Sequence, residues 1–99
     1  MRVTARISSL EYIAICQVGN HKFFTTQYSF NSNQVLFKIL NISVESESCT
    51  TEREGHPPKQ EDGPALTNYK DKFVFMIGGE RSRSVSRYNL DQHLWQEMP

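Results

Sequence analysis

No stretch of this 99-residue chain keeps apolar residues at i, i+3, i+4 and i+7 for three turns. Instead, β-branched and aromatic residues recur in short runs bounded by polar clusters. Side chains alternate across a strand with a period of two, so such runs build sheets and leave little material for helices. The strand candidates are YIAICQV (12–18), FFTTQYSF (23–30), QVLFKILNISV (34–44), KFVFMI (72–77), SVSRYNL (84–90) and LWQEM (94–98), with ALTNY (65–69) a weaker addition. The expected fold class is all-β, built of antiparallel strands.

One segment breaks this pattern. ESESCTTEREGHPPKQEDGPA, residues 45–65, has three prolines, two glycines and no Phe, Tyr or Trp. Its six acidic residues against Arg53 and Lys59 give 2 − 6 = −4, and because the whole chain sums to zero the remainder carries +4. Such a composition buries too little apolar surface to offset its ordering entropy. It also exceeds the usual loop limit of about 12–15 residues. It is therefore expected to be a flexible acidic linker between a unit at 1–44 and another at 66–99. Hydrophobic residues make up only 37% of the chain, so its aromatics must supply much of the core.

Zero formal net charge gives no bulk attraction to nucleic acid or to an anionic membrane, and neither is an expected partner. No apolar run approaches the roughly 18 residues that mark a spanning helix. The apolar stretch near the start is interrupted by Ser8, Ser9 and Glu11, a poor pattern for a signal peptide, so Asn41-Ile42-Ser43 carries little weight as a glycosylation site. Cys16 and Cys49 read as reduced thiols of a cytoplasmic protein. His21, His56 and His93 are scattered without metal-ligand spacing, and no GxSxG motif is present. The expectation is no catalytic residues, no metal and no cofactor.

A shift of 60 residues lays EYIAICQVG (11–19) on DKFVFMIGG (71–79) and TTQYSFNSNQV (25–35) on VSRYNLDQHLW (85–95). Gly19 then meets Gly79, Tyr28 meets Tyr88 and Val35 meets Trp95. The agreement lies in residue class and spacing rather than identity.

The second of these units resembles a kelch repeat. The apolar strand ending in Ile77-Gly78-Gly79, the tyrosine at Tyr88, the turn NLDQH and Trp95 leading to Met98-Pro99 carry the resemblance over 66–99. Residues 11–40 resemble a degenerate copy, with Val18 and Val35 where the second glycine and the tryptophan would stand. The resemblance implies about two blades of a β-propeller. Closed propellers have at least four blades, so the expectation is an incomplete one. It further implies that Gly78 and Gly79 serve close backbone approach, and that Tyr88 and Trp95 pack against a neighbouring blade. Burying those two rings contributes roughly 1.5–3 kcal/mol each.

The glycines admit a second reading, a phosphate loop. That loop needs further glycines and a following helix, whereas SVSRY alternates like a strand. Arg81, Arg83 and Arg87 are the candidate contact residues; ERSRS (80–84), which holds the first two, is expected to be a loop between strands, while Arg87 falls in the strand candidate 84–90, and guanidinium forks can meet acidic groups. Ser84 and Ser86 each follow an arginine by three residues, as basophilic kinases favour. The expected function is a non-enzymatic protein–protein interaction module of the kelch type, a partial or truncated propeller. Its partners would be other proteins, including itself through exposed blade edges. The alternatives are a small β-domain with enzymatic or ligand-binding activity, and a fragment without independent function.

Overall fold

A computed structural model describes residues 12–29, 34–58, 64–79 and 82–98. The chain is all-β. Its strands are β1 (Tyr12–Gln17), β2 (Lys22–Ser29), β3 (Gln34–Ser43), β4 (Ser48–Gly55), β5 (Ala65–Tyr69), β6 (Phe73–Gly79), β7 (Ser82–Asn89) and β8 (Leu94–Met98). They form two antiparallel four-stranded sheets, each ordered as in the sequence: β1-β2-β3-β4 and β5-β6-β7-β8. Every strand pairs with its chain neighbour, the arrangement that short turns enforce.

Two expectations need correction. Residues 45–65 are not a linker throughout, because Ser48–Gly55 pairs with β3 as the fourth strand of the first sheet. Its residues 48–54 are exposed, so the strand carries no apolar alternation, and backbone pairing to β3 holds it instead. The first unit thus extends to Gly55 rather than ending at 44, while residues 59–63 lie outside those described. The 60-residue shift, moreover, lays β1, β2 and β3 on β6, β7 and β8, one strand out of step with the sheet order. Tyr28 lies on a second strand and Tyr88 on a third, where Phe37 is its counterpart by strand order.

The sheets meet face to face through aromatic rings. Phe24 from β2 and Phe37 from β3 stack with centroids 5.6 Å apart and planes within 7°. Tyr88 and Trp95, directly opposite on β7 and β8, close on them from the second sheet. Val18, Ile39 and Val74 complete the buried cluster, with Cys16, Leu66 and Leu90 packed against it. Gly55 lets Phe37 lie flat on β4, since a Cβ there would sit 3.0 Å from Phe37 Cε1. The sheets also approach at β1 and β5, where the Asn68 amide donates to the Gln17 carbonyl at 3.0 Å.

Side chains anchor the turns. Lys70 and Asp71 both have positive φ (53° and 55°), as the central residues of a type I′ turn require, and the Lys72 amide closes that turn by donating to the Tyr69 carbonyl at 3.0 Å. The Asn68 side chain accepts from the Asp71 amide at 3.0 Å and donates to its carboxylate at 2.6 Å. Between β7 and β8, Asn89 Oδ1 accepts from the backbone amides of Asp91 and Gln92, both at 2.9 Å. Asn89 thus supplies the side-chain support of this turn, while Asp91 contributes its amide.

Candidate interaction surface

Alternation along the strands assigns each sheet two faces. In the second sheet, Leu66, Val74, Met76, Ser86, Tyr88 and Trp95 point toward the first sheet or share that face by register. The opposite face carries Tyr69 from β5, Phe73, Phe75 and Ile77 from β6, Val85 and Arg87 from β7, and Leu94 and Met98 from β8. Tyr69, Ile77 and Leu94 remain 50%, 45% and 61% exposed. A single exposed leucine means little, but a contiguous apolar sheet face does.

The arginines of the sequence reading divide on inspection. Arg81 lies outside the described residues. Arg83 belongs to strand β7 rather than to a loop, which corrects its expected setting, and Arg87 lies on the same strand, within the run 84–90 read as a strand. By alternation both stand on the outer face with Val85. Arg83 is exposed, whereas Arg87 is half-buried. The guanidinium of Arg87 sits 4.5 Å from the centroid of the Phe73 ring. Its Nε and Nη2 both donate to Gln96 Oε1, at 2.9 and 2.6 Å. These contacts flatten the side chain over the sheet and leave a cation embedded in an aromatic surface. A groove of about 290 Å³ runs beside it, with Phe73, Leu94, Trp95 and Gln96 among its walls.

Gly78 and Gly79 end β6 and lead by a hairpin into β7, so no helix N-terminus follows them. Gly78 has φ 65° at a register shift between Ile77 and Gly79, a bulge that glycine accepts without strain. Tyr88 and Trp95 are core residues, and the sheet they meet is the preceding one. The Tyr88 hydroxyl lies 3.0 Å from His93 Nδ1, and burial raises its phenol above the ordinary range. Ser86 is buried at 1% exposure, which removes it as a surface phosphorylation site in the folded chain.

The chemistry available elsewhere is limited. A polar cleft of about 380 Å³ lies between the β1–β2 and β5–β6 turns, lined by Gln17, Gly19, Asn20, Asn68 and Asp71. Among the described residues that line it, the titratable group is Asp71, already engaged by Asn68. His56 Nδ1 lies 3.2 Å from the Val35 carbonyl oxygen. Among the described residues, no three His, Cys, Asp or Glu side chains gather to hold a metal, and no helix is long and apolar enough to cross a membrane. Cys16 is held at about 11 by burial, well above a reactive thiol. The Asn41 amide, followed by Lys22, holds Glu52 below the ordinary carboxylate range.

The sequence reading missed Tyr69, Phe73, Phe75, Ile77 and Leu94 as surface residues. A signal for them was present. FVFMI in β6 is apolar at every position, the composition of a strand covered on both faces. Among the described residues only one of those faces is covered by the chain itself. Compared with protein-family models, curated proteins and solved structures, the chain matches none.

Proposed function

We propose that this chain is a non-enzymatic protein–protein interaction module, two kelch-type blades of an incomplete propeller, acting in the cytoplasm. The observation that carries the proposal is the outer face of the second sheet. Phe73, Phe75, Ile77, Leu94 and Tyr69 lie together there around the flattened guanidinium of Arg87. Aromatic residues and arginine are the side chains enriched where proteins bind one another; the rings bury large areas at little ordering cost, and the Arg87 guanidinium is already held by Phe73 and Gln96. The kelch-type reading is supported by two successive four-stranded meanders and by the Tyr88–Trp95 pair, which packs one sheet on the other. The polar cleft supports an enzymatic or ligand-binding role less well, since it brings together no pair of groups that could serve as acid and base.

The test is site-specific photo-crosslinking. A benzophenone side chain at Leu94 is expected to form protein adducts in cell extract, whereas one at Ser48 on β4 forms few. Equal, weak labelling from both positions would overturn the reading.

A further inference from the structure

Building on that reading, we propose that the protein occupying the outer face of the second sheet is a second copy of this chain, which presents the outer face of its first sheet. The first sheet has its own apolar face that no other described strand covers. By register, Ile15 of β1, Phe23 of β2 and Leu36, Leu40 and Ile42 of β3 lie on the side away from the aromatic core. Ile15 is 59% exposed. Like β6, the β3 run VLFKIL is apolar on both sides of the sheet, with Lys38 the one exception. Among the described residues, each sheet therefore has one face packed against its neighbour within the chain and one face of similar composition left open. The contact that joins the two sheets within a chain is the kind of contact these open faces can repeat between chains.

Charge decides which open faces meet. The outer face of the second sheet carries Arg83 and Arg87, with no carboxylate among the described residues of that face. Two such faces brought together would place arginine against arginine, a like-charge contact that opposes a two-fold dimer. On the outer face of the first sheet, Glu54 stands beside Lys38, and Glu45 and Glu47 occupy the neighbouring turn. An arginine-bearing face suits that side. The β4 edge is less inviting. It carries Glu52, Arg53 and Glu54 and a register shift against β3, devices that blunt an edge against pairing. Contact by faces is therefore proposed ahead of pairing along that edge.

Because the two open faces lie on opposite sides of the stack, the contact is head-to-tail. Such contacts propagate until they close into a ring or extend as a filament. Two variants of the full chain test this, Ile15→Lys and Ile77→Lys, each at an exposed site. Each is first checked for an unchanged melting temperature, with Leu94→Lys replacing Ile77→Lys if the latter melts low. By light scattering, the parent is expected to exceed monomer mass increasingly with concentration. Each variant alone is expected to associate at least tenfold more weakly. An equimolar mixture is expected to form a 1:1 dimer, because each variant keeps the face that the other lacks. A parent monomeric throughout, an Ile15→Lys variant that associates like the parent, or a mixture that stays monomeric would each overturn the proposal. If the parent is monomeric but Leu94 still crosslinks to other proteins in extract, the second copy is refuted while the interaction-module reading stands.

Discussion

Replacing Phe37 by alanine tests whether the two sheets share one core. Phe37 stacks on Phe24 within its own sheet and approaches Tyr88 at 5.0 Å and Trp95 at 5.4 Å across the interface. It is 7% exposed and rests on Gly55. Truncating a buried phenylalanine costs about 3–5 kcal/mol through lost burial and the cavity left behind. The upper half of that range applies here. Three rings lose a partner, and each aromatic pair is worth about 0.5–1.5 kcal/mol beyond its area. A domain of this size has roughly 5–15 kcal/mol of total stability, so the loss is a large fraction. The assay is urea unfolding followed by Trp95 fluorescence, which reports the second sheet, and by far-UV circular dichroism, which reports both. The two signals are expected to move together in one transition, shifted to lower urea in Phe37→Ala. A loss below about 1 kcal/mol, or a fluorescence transition that stays in place while the dichroism shifts, would refute a shared core.

Other perturbations probe single features. Gly55→Ala places a methyl 3.0 Å from the Phe37 ring and is expected to destabilise by about 1–3 kcal/mol, measured by the same urea titration. Lys70→Asn relieves a non-glycine residue at φ 53° in a type I′ turn and is expected to stabilise by about 0.5–1 kcal/mol, read as a higher melting temperature. With Cys16 at about 11, only about one Cys16 in a thousand is ionised at pH 8, so a thiol reagent should modify exposed Cys49 quickly and Cys16 only on unfolding. Because the folded chain raises both Cys16 and Tyr88, their contribution to stability is intact below the ordinary thiol range. The Cys16 part is lost as pH rises through about 11, and the urea midpoint should fall accordingly.

Strands with alternating side chains were legible in the sequence, and so were Tyr88 and Trp95 as the packing pair. β4 was not, because SCTTEREG is polar on both faces and is held by backbone pairing that leaves no mark on composition. Arg83 was misplaced for a related reason. β7 begins at Ser82, two residues before the expected strand start, so Arg83 lies on the strand instead of in a loop. The ring partners Phe24 and Phe37 were not singled out, since a phenylalanine in an alternating run does not reveal which face will be buried. For β6 the ambiguity was complete. With every position of FVFMI apolar, only the pairing register separates Val74 and Met76, which are buried, from Phe73, Phe75 and Ile77 on the open face.

A slip of one residue in β6 and β7 would exchange those faces and put Arg87 in the core. Proton NMR measures the choice directly through contacts between aromatic rings. The account expects cross-peaks from the Phe37 ring to Tyr88 and Trp95, and none from Phe37 to Phe73 or Phe75. Cross-peaks from Phe37 to Phe73 and Phe75, with Tyr88 free of the first sheet, would contradict both the shared core and the surface assigned to binding.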